Sequence, residues 1–128
     1  MTPTEPRIAH KVLLVDDDDA VRTMMSLTLE HKGFEVVPAT NVTEALKLIT
    51  TESFDVLITD LNMPNMDGIQ MIAAIRKLPG YPFTPILMLT TESQAGKKDE
   101  GRKAGATGWI VKPFDGEKLI AAVQKLVK

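Results

Sequence analysis

The chain has 128 residues, 44% hydrophobic and 25% charged, with 15 Lys and Arg against 17 Asp and Glu for a net charge of −2. That size and balance fit one soluble domain and offer no broad basic surface for nucleic acid. The lack of any cysteine excludes disulfides, thiolate metal sites and cysteine nucleophiles, and the longest clean aliphatic run, Val12, Leu13, Leu14 and Val15, is far short of a membrane span.

Residues 1–10 carry Pro3 and Pro6 among polar neighbours and read as a flexible leader, so the folded domain is expected over residues 11–128. No apolar N-terminal stretch resembles a secretory signal, which makes a cytoplasmic location the expectation. The first strand is predicted at residues 12–15. Val21, Met24, Met25, Thr28 and Leu29 then follow at helical spacing, and Gly33 closes that helix after His31 and Lys32. A second strand over residues 35–37 ends at Pro38, which lacks a ladder donor and suits a sheet edge. Val42, Ala45, Leu46 and Ile49 mark the second helix, residues 56–58 the third strand, and Ile69, Ile72 and Ile75 a third helix ended by Pro79 and Gly80. Residues 86–89 make the fourth strand. The fourth helix falls within residues 94–104 and is the weakest, because Gly96 and Gly101 each cost roughly 1 kcal/mol relative to alanine. Residues 109–111 form the fifth strand, and Leu119, Ile120, Val123 and Val127 the last helical stripe. Met24, Met25 and Met71 read as core filler.

Strict alternation of five strands and five helices predicts an α/β, three-layer, doubly wound parallel sheet, since right-handed crossovers place helices on both faces. In the order 2-1-3-4-5 the first and third strands are neighbours, and the reversal of chain direction between them opens a crevice above their carboxyl ends. Asp16 and Asp17 follow the first strand and Asp60 the third, so these three would ring the crevice. Carboxylates brought together repel by about 4 kcal/mol per pair at 4 Å and an effective dielectric of 20, which calls for a cation. Oxygen ligands without His or Cys select a hard ion: Mg²⁺, with Mn²⁺ as a substitute. Asp18 and Asp19 read instead as caps of the first helix. A nucleotide or flavin phosphate would need a glycine-rich turn where four aspartates stand.

Such a crevice can carry phosphoryl chemistry if one carboxylate acts as a nucleophile and forms an aspartyl phosphate. Lys112 after the fifth strand and Thr90 at the end of the fourth lie on the same rim. They would supply an ammonium and a hydroxyl to the phosphoryl oxygens.

These residues match a known family. Val15-Asp16-Asp17, the stretch from Thr59 and Asp60 through Asn62, Pro64 and Asp67 to Gly68, Leu89-Thr90 and Lys112-Pro113-Phe114 stand in order and at family spacing. The sequence resembles a response-regulator receiver domain over nearly its whole length, most closely the stand-alone bacterial chemotaxis type, whose fold is flavodoxin-like. The resemblance implies that Asp60 accepts phosphate from a sensor histidine kinase of chemotaxis type. It also implies that Asp16, Asp17 and Asp60 hold Mg²⁺ with the backbone carbonyl of Asn62, and that Lys112 and Thr90 grip the phosphoryl group. Asn62 and Glu92 occupy the positions that tune dephosphorylation, and Pro113 follows the lysine as a cis-proline candidate. Thr90 and Trp109 would form the switch, which reshapes the surface of the fourth helix, fifth strand and fifth helix.

With no output domain after Lys128, the output is expected to come from binding another protein. The flagellar motor switch is the expected target and a phosphatase an additional partner, with the chain itself a monomer. Gln94, Ala95 and Ala122 stand where the best-known chemotaxis regulators carry lysines, and Trp109 replaces their switch tyrosine. The alternative output is a phosphorelay or another non-motor pathway. Two further readings compete. A haloacid-dehalogenase-type phosphatase would want an aspartate where Asn62 stands. A passive Mg²⁺-binding domain leaves the acceptor, lysine and threonine set unexplained. The chain is therefore read as a signalling switch and not an enzyme, catalysing only its own phosphoryl transfer and dephosphorylation.

Overall fold

A computed structural model describes residues 10–63, 66–81, 83–91, 96–112 and 115–127. The elements run β1 (Lys11–Val15), α1 (Asp19–His31), β2 (Glu35–Ala39), α2 (Val42–Thr51), β3 (Val56–Asp60), β4 (Asn62–Met63), β5 (Met66–Asp67), α3 (Gly68–Arg76), β6 (Ile86–Thr91), α4 (Lys97–Ala104), β7 (Gly108–Lys112) and α5 (Gly116–Val127). Five parallel strands form one sheet in the order β2-β1-β3-β6-β7, so β6 and β7 are the predicted fourth and fifth strands. Pro38 sits in edge strand β2, as its missing donor requires.

Alternation along each strand sends side chains to two cores. Leu13, Val15, Leu57, Ile86 and Met88 meet α2 and α3 on one face. Val12, Leu14, Val56, Ile58, Leu87, Leu89 and Ile110 meet α1 and α5 on the other. Each fully buried aliphatic side chain contributes roughly 1.5–3 kcal/mol against exposure, and the central strands β1 and β3 are apolar toward both sides, as a doubly covered sheet demands.

The end of α1 follows from its glycine. Gly33 takes φ +92°, its N–H donates to Glu30 O, and the Phe34 N–H donates to Leu29 O, which satisfies carbonyls the helix leaves open. The start of α1 is capped by Asp18, whose Oδ1 accepts from the N–H groups of Ala20 and Val21. Asp19 pairs with Arg22 one turn on, so the reading of Asp18 and Asp19 as local helix residues holds.

Two details depart from expectation. Met24 is 39% exposed, because α1 turns Met25 and Leu29 inward and a neighbour 100° away cannot share that face; Met25 and Met71 are buried as predicted. The helices meet expectation here: the third stops at Arg76, ahead of Pro79 and Gly80, and α4 falls within residues 94–104, spanning eight residues after Gly96, which provides no side-chain cap. A two-stranded antiparallel hairpin, β4 with β5, occupies what read as loop, pairing Asn62 with Asp67 and Met63 with Met66.

α4 lies close to its neighbours at two glycines. A Cβ on Gly101 would meet Met88 Sδ at 2.0 Å, and one on Gly105, at φ +122°, would meet Arg76 Cγ at 2.6 Å. Arg76 Nε and Nη2 donate to Gly105 O at 2.9 and 2.6 Å, and Nη1 donates to the carbonyls of Tyr81 and Thr84. One guanidinium thus ties the end of α4 to the segment leading into β6.

Candidate functional site

The pleat explains how the site assembles. Asp16, Asp60 and Lys112 each stand two residues beyond Leu14, Ile58 and Ile110, which all point into the α1/α5 core, so at the strand ends these three project to one side. Pairing of β3 between β1 and β6 brings Asp60 level with Leu89, and the Asp16 N–H continues the ladder by donating to Ala39 O at 3.1 Å.

Lys112 Nζ stands 3.2 Å from Asp60 Oδ2 and 3.5 Å from Asp16 Oδ2. Asp16, Asp17 and Asp60 each offer a carboxylate oxygen within 4.8 Å of the others. Asp16 and Asp60 are buried at 0% and 4% exposure, whereas Asp17 faces solvent. Asp16 Oδ1 accepts the Asp18 N–H at 2.9 Å, while Oδ2 is buried and accepts no hydrogen bond from the described residues. Burial therefore holds the Asp16 carboxyl above its usual range; the Asp18 N–H opposes this and the Asp60 charge adds to it.

A buried carboxylate oxygen with no hydrogen-bond donor and only Lys112 as ion-pair partner among the described residues, facing two further carboxylates, fits a hard divalent cation, with oxygen donors only. Asp16, Asp17 and Asp60 are the residues to hold it. Asn62 lies two residues past Asp60, at the start of the hairpin. Thr90 is fully buried near the end of β6, and its Oγ1 has no hydrogen-bond partner among the described residues. By alternation Thr90 and Met88 share the sheet face away from Asp60, and their partners Val111 and Trp109 lie beside them on β7. Trp109 is 38% exposed there. Ala122 is half-buried against the α1/α5 core.

Glu92, Pro113, Pro64, Phe114, Gln94, Ala95 and the leader through residue 9 lie outside the described residues. On α4, Arg102 pairs with Asp99 at 2.5 Å along the helix, as a solvated face does. Sequence reasoning missed Arg22. Its Nη1 donates to Asp16 O at 2.7 Å, and no spacing rule signals a bond from a side chain to a main-chain carbonyl.

The family model for the response regulator receiver domain matches residues 12–124. The chain belongs to this family and is a receiver domain of a two-component response regulator. Among solved structures it is similar to the chemotaxis response regulator CheY4 of Vibrio cholerae, at 48% identity over 93% of this chain and 99% of that one, with a TM-score of 0.89. A response regulator of Chloroflexus aurantiacus is similar at 37% identity, covering 94% and 98%, with a TM-score of 0.89. The transcriptional regulatory protein SrrA of Staphylococcus aureus is 34% identical over 121 residues, 94% of this chain. The chain spans about half (49%) of SrrA's length. No helix among the described residues is long and apolar enough to cross a membrane.

Proposed function

We propose that this chain is a phosphorylation-driven switch of chemotaxis type, with Asp60 as the phosphoacceptor. The observation that carries the reading is the convergence of Asp60 with Asp16, Asp17 and Lys112 at the carboxyl ends of the strands. A carboxylate oxygen of Asp60 attacks the donor's phosphorus, an acyl phosphate O–P bond forms, and the bond from phosphorus to the kinase histidine nitrogen breaks. Asp16, Asp17, Asp60 and the Asn62 carbonyl would hold Mg²⁺, or Mn²⁺ in its place, which would neutralise charge on the phosphoryl oxygens. Lys112 adds its ammonium, already 3.2 Å from Asp60.

Thr90, one residue past the Leu89 that stands level with Asp60, then turns its hydroxyl from the opposite sheet face toward the phosphoryl group, and the adjustment passes along its own face to Trp109, which reshapes the α4, β7 and α5 surface. The chain turns over no external metabolite; it catalyses its own phosphorylation and, with Asn62 and Glu92 tuning the rate, its own dephosphorylation. Similarity to CheY4 supports the flagellar motor switch as partner. Non-lysine residues at Gln94, Ala95 and Ala122, together with the similarity to SrrA, support a non-motor output as the second reading.

Binding to the motor switch protein encoded in the same genome separates the two readings. Incubation with Mg²⁺ and acetyl phosphate is expected to tighten that binding roughly tenfold, with Asp60→Asn unresponsive. Equal binding with and without phosphodonor overturns the motor assignment.

A further inference from the structure

We propose that Arg22 is a positioning residue for cation binding at the acidic crevice, acting through the main chain of Asp16. This rests on the reading of that crevice as an Mg²⁺ site. Asp16 is committed at three of its four polar groups: its N–H donates to Ala39 O at 3.1 Å, its Oδ1 accepts from the Asp18 N–H at 2.9 Å, and its carbonyl accepts from Arg22 Nη1 at 2.7 Å. Oδ2 alone is left, buried and aimed toward Asp60 and Lys112. Of the three ties, only the carbonyl's comes from a side chain outside the Asp16 to Asp18 turn.

Arg22 is built for that bond. Its side chain is 14% exposed although it carries a charge, so the guanidinium is spent on the loop and not on water. Its Nη2 engages Asp19, and its charge also reaches Glu44 on α2, whose carboxyl it helps hold below the usual range after the larger effect of the Thr40 hydrogen bonds. The planar fork thus braces the β1–α1 turn from the first turns of α1, which fixes where Asp16 Oδ2 and Asp17 stand. Ligand oxygens around a small hard ion tolerate little displacement, so groups that orient ligands from behind set its affinity.

The sign of the effect distinguishes this role from simple charge. Removing a cation from the neighbourhood of three carboxylates tightens Mg²⁺ binding if only electrostatics matters; removing a brace weakens it. A merely structural role lowers the melting temperature and leaves the affinity of the folded protein unchanged.

The test is calorimetric titration of MgCl₂ into the full chain without phosphodonor, for wild type, Arg22→Ala and Arg22→Lys, alongside melts in EDTA. The expected result is a dissociation constant raised about tenfold in Arg22→Ala and by less in Arg22→Lys, which keeps the charge but loses the fork. Unchanged or tighter binding in Arg22→Ala overturns the proposal. Should Arg22→Ala not fold, Arg22→Lys decides alone: weakening supports positioning, and wild-type affinity overturns it. Absence of saturable Mg²⁺ binding in the wild type overturns the cation reading and this inference together, and is told apart because it needs no Arg22 variant.

Discussion

Lys112 Nζ bridges the carboxylates of Asp60 and Asp16, at 3.2 and 3.5 Å, on the one side of the sheet to which the pleat directs all three. The ammonium is the resident counter-charge of the crevice, and its loss leaves two buried carboxylates facing each other. Lys112→Met is expected to destabilise the protein in EDTA by about 1–3 kcal/mol, less than the roughly 3–5 kcal/mol of a fully buried pair because Lys112 is partly exposed (24%). Saturating Mg²⁺ is expected to narrow that gap. Melting curves in EDTA and in Mg²⁺ check this; a gap that stays the same in both contradicts it.

Asp16 supplies the pH dependence. Burial raises its carboxyl above the ordinary 3.8, so between that value and the raised one the folded state binds more proton than the unfolded chain. Its contribution to the stability of the metal-free protein is therefore present below 3.8 and is lost as pH rises through the raised value. Asp16→Asn is expected to flatten this fall and to raise neutral-pH stability in EDTA by about 1–2 kcal/mol. It should also abolish the gain of about 2.7 kcal/mol that Mg²⁺ gives wild type at 100 times Kd. Paired melts across pH, with and without Mg²⁺, read both effects.

Thr90→Val keeps the shape of the buried side chain and removes its unpartnered hydroxyl. Stability is expected to stay level or rise by up to about 1 kcal/mol, since no hydrogen bond to a described residue is lost. Phosphorylation is expected to persist while the accompanying change in Trp109 fluorescence falls to a small fraction. An undiminished fluorescence change in the phosphorylated variant contradicts the switch route.

Gly105→Ala tests the anchoring of α4. At φ +122° any side chain is strained, and the new Cβ lies 2.6 Å from Arg76 Cγ, so the Arg76 bonds to Gly105 O must shift as well. A loss of about 2–3 kcal/mol is expected by chemical denaturation, from the strain and one weakened charged hydrogen bond. Asp60 should still accept phosphate, because the anchor lies away from the crevice.

How much of this was legible in the sequence depended on whether a pattern or a single contact carried it. The two cores and the strand ends follow from alternation and from short apolar runs, so the order of the sheet and the convergence of Asp16, Asp17 and Asp60 could be read from Val12 to Val15, Val56 to Ile58 and the residues just after them. Met24 was misplaced because Met25 beside it satisfies the same spacing, and only the packing of α1 decides which turns inward. The β4–β5 hairpin is too short to show a period. Arg22 and Arg76 were invisible for a different reason: both donate to main-chain carbonyls, which every residue possesses, so nothing in the partner's identity marks the bond.

The most direct test of the central claim is to trap the acyl phosphate. After incubation with Mg²⁺ and acetyl phosphate, borohydride reduction followed by peptide mass mapping is predicted to convert Asp60 to homoserine in the wild type, with no conversion when Mg²⁺ is replaced by EDTA. Reduction at another aspartate, or at none under several phosphodonors, would contradict the assignment of Asp60 as the phosphoacceptor.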